Sequence, residues 1–228
     1  MKIKKLLVIA AHPDDELLGC GGTIAKFISG GVQIKILFLG EGSTCRFDNA
    51  SSGEALSAIN VRNLCAEKAL QKLEVSDFEF SNLPCGRFDQ IPIIEINKII
   101  ERAIKTFKPD TIFTHSEVDS NNDHKITHRS TIMATRPCGD HIVTNVFVYE
   151  VPSSSEWSFS QSFVPNYFVS LTDAQLALKW NALECYKGEM RDYPFPRSWL
   201  SIEALARFRG VQSGNDFAEA FQLIRGFA

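Results

Sequence analysis

Two short segments of the chain contain residue types that bind metal ions in enzymes. In the first, His12 and Asp15 lie three residues apart on a turn restrained by proline, so both side chains can point at one ion while Asp14 points elsewhere. A catalytic metal site usually has three protein ligands and an open position for water, and His124 in the second segment is the leading candidate for the third ligand. We prefer zinc, although two histidines and one carboxylate also suit iron(II).

The spacing of apolar residues predicts the elements that position these two segments. Apolar runs bounded by polar turns predict strands at residues 5–11, 32–40, 77–83 and 110–115. Helical periodicity predicts helices between them, at residues 17–27, 54–73 and 91–107. This alternation predicts a doubly wound α/β fold, with a mainly parallel sheet and helices on both faces. Ligands bind beyond the carboxyl ends of such strands, and we expect the loops that carry His12 and His124 to meet there.

The last third of the chain has a less regular pattern. We expect two further strands at residues 144–151 and 166–171, and added C-terminal helices at residues 173–187 and about 199–225. Glycines at positions 19, 21 and 22 fall within the first predicted helix and form no dinucleotide fingerprint, so they indicate close packing of that helix on the sheet. A chain of 228 residues can bury one large core, and we expect a single domain over residues 1–228.

The composition excludes several kinds of partner. Lysine and arginine number 24 against 27 aspartates and glutamates, and the net charge of -3 provides no surface for a phosphate backbone, so we expect no nucleic acid partner. No apolar stretch approaches the ~20 residues that a membrane-spanning helix needs. The six cysteines are irregularly spaced and include no CxxC pair, which favours free thiols, and we expect a cytoplasmic protein. A homo-oligomer is compatible with the sequence.

Both candidate metal-binding segments resemble those of a known family. The chain has AHPDDELLGCGG at residues 11–22 and DSNNDHKITH at residues 119–128, and in this pairing it resembles the PIG-L/LmbE-like family of zinc-dependent de-N-acetylases. Two later segments, VYEVPSSSEW and RSWLSIEALARFRG, resemble a bacterial subgroup, so the likeness covers nearly the whole chain. The resemblance implies zinc ligation by His12, Asp15 and His124. It also implies that Asp14 is a general base in the removal of an N-acetyl group from an amino sugar or sugar conjugate.

Four further residues are candidate substrate contacts. The resemblance implies that Arg62 and Asp89 hold sugar hydroxyls, because their positions match family residues with that role. Arg62 can equally pair with an acid on its own helix, and Asp89 can be a turn former. His115 ends a predicted strand, where it can face a substrate or pack in the core. Glu150 ends another predicted strand, with Trp157 in the loop beyond, and can line a sugar site because aromatic faces pack on sugar rings.

One position departs from the family pattern. Many members have His-x-Asp-His where this chain has Asn-Asn-Asp-His beginning at Asn121, so the histidine credited with stabilising the oxyanion is absent. An amide can donate a neutral hydrogen bond, and we assign the oxyanion contact to Asn121, with His115 and His128 as alternatives. In the expected mechanism, zinc lowers the pKa of a water from 15.7 to about 7, and Asp14 takes the proton as that water attacks the amide carbonyl.

Other functions are compatible with the same residues. An amidase acting on a non-sugar N-acylated metabolite would have aromatic, apolar pocket walls in place of Arg62 and Asp89. A catalytically silent module that binds a metal or a carbohydrate is a second alternative, which the carboxylate of Asp14 argues against. A nucleotide-binding protein of the Rossmann type would need a glycine fingerprint after the first strand, and the chain has none. The HPDDE segment by itself is also compatible with simple capping of a helix N-terminus.

Overall fold

The computed structural model describes residues 2–227, in which strands and helices alternate along most of the chain. The strands are β1 (Lys5–Ala10), β2 (Gln33–Gly40), β3 (Asp77–Leu83), β4 (Thr111–His115), β5 (Asn145–Tyr149), β6 (Tyr167–Leu171) and β7 (Phe217–Gly226). The helices are α1 (Asp15–Ser29), α2 (Gly53–Lys72), α3 (Ile93–Phe107), α4 (Asn122–Ala134), α5 (Asp173–Leu183) and α6 (Trp199–Ser213). Short 3-10 turns lie at Thr44–Arg46, Phe88–Gln90 and Ser155–Trp157. Among residues 2–227, no helix is long and apolar enough to cross a membrane.

The strands form one seven-stranded sheet in the order β3-β2-β1-β4-β5-β7-β6. The first five strands pair in parallel, whereas β7 runs antiparallel between β5 and β6. β1 lies inside the sheet, and its alternate residues face two different core clusters, with Leu6 and Val8 in one and Leu7 and Ile9 in the other. Residues of α1, α2, α5 and α6 complete the first cluster, and α3 contributes to the second. Helices therefore cover both faces, which confirms the doubly wound, mainly parallel α/β fold with added C-terminal helices.

The end of the chain differs from its predicted structure. The sequence predicts helix over about 199–225, but α6 ends at Ser213, the next residue Gly214 has a φ of 70°, and Phe217–Gly226 forms β7. Alanine and glutamate in this segment favour a helix locally. However, β7 pairs on both sides with β5 and β6, and the burial of Phe217 and Phe221 outweighs that preference. The helical prediction for residues 217–225 is therefore wrong.

Helix α1 packs closely on neighbouring elements because it has glycines at the contacts. A methyl group on Gly19 would lie 2.2 Å from the ring of Tyr149 in β5, and one on Gly22 would lie 2.5 Å from Leu171 in β6. Carbon atoms in a packed core do not approach this closely. The glycines therefore serve close packing, as the sequence indicates, and they hold the first turn of α1, with Asp15, at the end of β1.

We expect Gly19→Ala to lower the free energy of unfolding by about 1–3 kcal/mol, because the ring of Tyr149 and the backbone must move to admit the methyl group. Gly53→Ala is the matched control, since a methyl group there meets no atom within 4 Å and Gly53 is the first residue of α2. Urea unfolding of both variants and the wild type measures the difference. An unchanged transition for Gly19→Ala would mean that α1 moves away from β5 without cost.

Candidate functional site

The two segments that contain His12 and His124 meet at the carboxyl ends of neighbouring strands. His12 and Asp15 follow β1, and His124 lies in the first turn of α4, which follows β4. The candidate ligand atoms of His12, Asp15 and His124 lie within 4.8 Å of one another, and the three residues are only 6%, 2% and 2% exposed. The structure thus brings together the three residues that the sequence predicts as metal ligands.

The two histidines are oriented like metal ligands. His12 Nδ1 and His124 Nε2 lie 3.5 and 3.2 Å from the same oxygen, Asp15 Oδ2. The second ring nitrogen of each histidine faces a different carboxylate, with His12 Nε2 2.9 Å from Asp123 and His124 Nδ1 3.2 Å from Asp119. Metal-bound histidines almost always donate their second N–H group to a carboxylate, a carbonyl or water. Two imidazole nitrogens and one carboxylate oxygen therefore fit a divalent cation such as Zn²⁺.

Backbone N–H groups and serine hydroxyls donate hydrogen bonds to the carboxylates of Asp123 and Asp119. The backbone N–H groups of Gly86 and Phe88, in the loop after β3, donate to Asp123 at 2.6 and 3.2 Å. Two serine hydroxyls from the loop after β5 donate to Asp119 Oδ2 at 2.9 and 2.8 Å. Burial raises the pKa of both carboxyls, but the hydrogen bonds and charges of the histidines, together with hydrogen bonds from backbone N–H groups, outweigh it, so that each pKa is lowered. Neither aspartate was assigned a role from the sequence, although an acidic residue close to a candidate histidine ligand can indicate a hydrogen-bond partner for that histidine.

Asp14 lies at the start of α1 in a strained backbone conformation. Its φ is 112°, a region that costs a non-glycine residue about 1–3 kcal/mol and is found most often at functional sites. Oδ2 accepts a hydrogen bond from Arg197 Nη1 at 2.6 Å and forms an ion pair with Arg62 Nη2 at 2.9 Å, whereas Oδ1 has no partner among residues 2–227. Burial raises the pKa of Asp14, and the two guanidiniums offset only part of that rise. One carboxylate oxygen is thus fixed, and the other is available to accept a proton.

Arg197 and Glu189 belong to the site although sequence reasoning named neither. Arg62 Nη1 donates to Glu189 Oε1 at 2.6 Å, and Arg197 Nη1 lies 3.1 Å from Glu189 Oε2. Arg46 binds both oxygens of Glu189, at 2.6 and 2.9 Å. Burial raises the pKa of Glu189, but the hydrogen bonds from Arg46 and the charges of the other arginines lower it to about 2. Asp14 is therefore covered by a network of three arginines and one glutamate, in which Arg197 lies 183 positions away along the chain.

His115 lies behind the candidate metal ligands and is completely buried. Its Nε2 accepts a hydrogen bond from Ala11 N at 2.9 Å and lies 3.6 Å from Asp15 Oδ2, and its ring centroid is 4.0 Å from that of His124. His128 Nδ1 lies 2.9 Å from the carbonyl oxygen of His115. Burial lowers the pKa of both His115 and His128. The structure therefore gives His115 a packing position against the ligands and no surface that faces a substrate.

The remaining predicted residues lie in three different places. Asn121 is the N-cap of α4, and its side-chain oxygen accepts a hydrogen bond from Asp123 N at 2.9 Å. Asp89 is exposed in the 3-10 turn after β3. Glu150 binds Arg209 through both oxygens, at 2.7 and 2.6 Å, and lines a separate cavity of about 530 Å³. The structure does not bring Glu150 together with the candidate metal ligands.

The chain is an α/β protein with a candidate metal centre. This centre consists of two histidines and an aspartate at the carboxyl ends of the strands of a doubly wound sheet. Within that class, the chain belongs to the PIG-L family, because the family model described as GlcNAc-PI de-N-acetylase matches residues 7–135, more than half of its length. The diacetylchitobiose deacetylase of Thermococcus kodakarensis is 25% identical over 98% of this chain and 84% of its own. Membership in the family therefore agrees with the resemblance seen in the sequence.

Solved structures show the same fold. An N,N'-diacetylchitobiose deacetylase from Pyrococcus horikoshii, in complex with an inhibitor, matches with a TM-score of 0.77 at 23% identity, over 99% of this chain and 85% of that one. The 4-carboxy-2-hydroxymuconate hydratase of Pseudomonas putida matches with a TM-score of 0.78 at 22% identity, over 99% and 98% of the two chains. Since one of these neighbours is a hydratase, the fold does not determine the reaction, which must be inferred from the site.

Proposed function

We propose that this protein is a metal-dependent hydrolase that removes the N-acetyl group from an amino sugar or a sugar conjugate. The observation that carries the proposal is the convergence of His12, Asp15 and His124 in a site where one carboxylate oxygen of Asp14 has no partner within the described part of the chain. An activated water and a general base are what the hydrolysis of an amide needs. The family and the deacetylase from Thermococcus kodakarensis support the same reaction.

We propose zinc as the metal, held by His12, Asp15 and His124. When bound, it would acidify a water molecule and polarise the amide carbonyl. Asp123 and Asp119 each face one ring nitrogen of His12 and His124, so with a metal bound that nitrogen would carry the proton and the other would offer its lone pair to the metal. Iron(II) is the alternative for this donor set.

Asp14 is the proposed general base. Its Oδ1 takes a proton from the attacking water, while Arg62 and Arg197 hold Oδ2 at 2.9 and 2.6 Å and keep the carboxylate oriented. The rise in pKa that burial produces makes Asp14 a better proton acceptor. The protonated acid then gives its proton to the departing amine. Asp14 thus serves both steps, and acetate and a free amine are released.

Asn121 is the proposed donor to the oxyanion. Its side-chain oxygen caps α4, so its NH₂ group is the part of the amide that can donate a hydrogen bond. His115 and His128 are the alternatives. His115 is completely buried, and His128 Nδ1 lies 2.9 Å from the carbonyl oxygen of His115, so we choose Asn121 over both.

We expect Asn121→Ala to lower turnover by about 10² to 10³, which is the usual cost of losing one oxyanion donor, and to leave the bound metal unchanged. Asn121→Ser separates this role from helix capping, because serine is also a good N-cap but has a shorter side chain. Turnover and metal content are measured for both variants. Similar losses in the two variants support the donor role, whereas wild-type turnover in Asn121→Ser would mean that Asn121 acts only as a cap.

Arg62 and Asp89 are the proposed contacts to the sugar. Arg62 lines a cavity of about 680 Å³, together with Arg46, Glu189 and apolar side chains of α2. This volume lies within the range of about 300–1,000 Å³ that is common for small-molecule sites. Asp89 follows Phe88, whose backbone N–H group donates to Asp123, the carboxylate that faces His12. Asp89 therefore lies in the loop that borders the candidate metal ligands.

Acetate release from a panel of N-acetylated compounds tests the proposed function. The panel contains N-acetylglucosamine and N,N'-diacetylchitobiose on one side, and N-acetylated amino acids and a simple N-alkylacetamide on the other. We expect zinc-loaded enzyme to release acetate from the sugars at a higher kcat/KM than from the other compounds. Release from the amino acids alone would favour the amidase, and tight metal binding without any release would favour the silent binding module.

A further inference from the structure

Two cysteines lie in contact at the edge of the candidate metal site. Cys45 is in the 3-10 turn after β2, and Cys85 is in the loop after β3. Both are free thiols, and their Sγ atoms are 2.8 Å apart. This separation is only about 0.8 Å longer than a disulfide bond. A small movement of the two side chains is therefore enough to bring the sulfur atoms to bonding distance.

The backbone on both sides of this pair is anchored by one buried carboxylate. Glu41 is 2% exposed, and its Oε1 accepts a hydrogen bond from Cys85 N at 2.7 Å. Its Oε2 accepts hydrogen bonds from Ser43 N at 2.5 Å and Thr44 N at 2.9 Å, in the segment that leads into Cys45. Because Glu41 holds both segments, the two cysteines are kept facing each other.

The two thiols differ in a way that suits disulfide exchange. Cys45 is exposed, so a small oxidant in solution reaches it, whereas Cys85 is only 7% exposed and faces Cys45. The hydrogen bond between the two thiols lowers the pKa of Cys45, whereas the same contact and burial raise the pKa of Cys85, so Cys45 ionises more easily than Cys85. A thiolate is the nucleophile in thiol–disulfide exchange. Cys45 is thus the attacking thiol, and Cys85 is placed to resolve the mixed disulfide.

We propose that Cys45 and Cys85 form a reversible disulfide that restricts access to the metal site. Cys45 attacks one sulfur of a small disulfide such as oxidised glutathione, whose S–S bond breaks and releases one glutathione. Cys85 then loses its proton to solvent and attacks the sulfur of Cys45, which releases the second glutathione. Two protein thiols are oxidised to one disulfide, and one glutathione disulfide is reduced to two thiols. Disulfides of this transient kind are the ones found in reducing compartments.

The cross-link would join two loops that border the metal ligands. The residue after Cys85 is Gly86, whose N–H group donates to the carboxylate that faces His12. The residue after Cys45 is Arg46, which binds the glutamate of the network over Asp14. His12 and Asp14 are only 6% and 1% exposed, so movement of the two loops apart would open more of both side chains to a substrate. A disulfide between the two loops opposes that movement.

Disulfide mapping tests the cross-link without reference to catalysis. Zinc-loaded wild-type protein is incubated with oxidised glutathione, alkylated and digested, and the peptides are identified by mass spectrometry. We expect a linked pair of peptides containing Cys45 and Cys85, which dithiothreitol separates. Cys138→Ser is the matched control, because Cys138 is exposed elsewhere on the chain and its loss should not affect the link. A free Cys85 beside a Cys45 that is reduced or carries only glutathione would overturn the proposal.

A second measurement tests the effect on access, and this part alone rests on the proposed function. Oxidation should lower kcat/KM for acetate release by about tenfold or more in the wild type and in Cys138→Ser, and dithiothreitol should restore it. Oxidant should leave the activity of Cys45→Ser unchanged. A mapped disulfide with undiminished kcat/KM would contradict the restriction of access. Absence of acetate release from the reduced enzyme would instead contradict the proposed function, while the mapping result would stand.

Discussion

His124→Ala is expected to empty the metal site and abolish hydrolysis. His124 supplies one of the three candidate ligand atoms, and its ring lies between Asp15 and Asp119, 3.2 Å from each. Loss of a residue that only supports a ligand typically lowers metal affinity 10–100-fold, so loss of the ligand itself should lower it by more than about 100-fold. Metal content after dialysis, measured by plasma emission spectrometry, checks the expectation.

Two further variants serve as comparisons for His124→Ala. Lys125→Ala changes the next residue of α4, which is exposed, and should keep the metal and the activity. Asp119→Asn keeps the size of the partner of His124 but removes its charge, and should lower metal affinity by about 10–100-fold. Full occupancy in His124→Ala would contradict the ligand assignment, whatever the activity of that variant.

Asp14→Asn is expected to keep the metal and to lose about 10² to 10⁴ in turnover. The amide cannot take a proton from water, whereas its oxygen can still accept the hydrogen bond from Arg197. A side chain that acts only in proton transfer should affect kcat more than the binding of substrate. Steady-state kinetics of acetate release and the metal content of the same preparation check both parts of the expectation.

Glu16→Gln is the matched control for Asp14→Asn. Glu16 is also buried, and its Oε2 accepts a hydrogen bond from Asp14 N at 3.0 Å, which a glutamine oxygen can accept as well. This variant should therefore retain most of the activity. A melting curve for Asp14→Asn separates lost chemistry from lost folding, because the substitution removes one of the two carboxylates that Arg62 and Arg197 share and leaves them only Glu189. Loss of metal from a folded Asp14→Asn protein would mean that Asp14 and Asp15 have exchanged roles.

The parts of the molecule that were predictable from the sequence are those with a local signal. Strands β1 and β2 contain buried apolar runs, β3 and β4 are shorter and more mixed in composition, and segments of helical periodicity separate them. This alternation predicts a parallel sheet whose loops meet at one edge. The pairing of a histidine and an aspartate on one turn with a later histidine is a second local signal. For this reason, His12, Asp15 and His124 could be grouped before their positions were known.

The parts that were not predictable depend on contacts between distant segments. Arg197 reaches Asp14 from an irregular segment before α6, and Glu189 reaches Arg62 from another, so neither has a periodicity or a spacing that indicates the contact. Strand β7 was predicted as helix because its alanines and glutamate favour helix locally, whereas its pairing with β5 and β6 is a property of the folded sheet. Glu150 follows β5, at the same edge of the sheet as the candidate metal ligands, but it binds Arg209 of α6. No local sequence pattern indicates that contact.

The dependence of acetate release on bound metal decides whether the protein is a metal-dependent hydrolase. The protein is dialysed against a chelator, and zinc is then added in steps while bound zinc and acetate release from the best substrate of the panel are measured on the same samples. We expect no release from the metal-free protein, and release that rises in proportion to bound zinc until each chain holds one ion. Release at an undiminished rate from protein without metal would contradict this expectation.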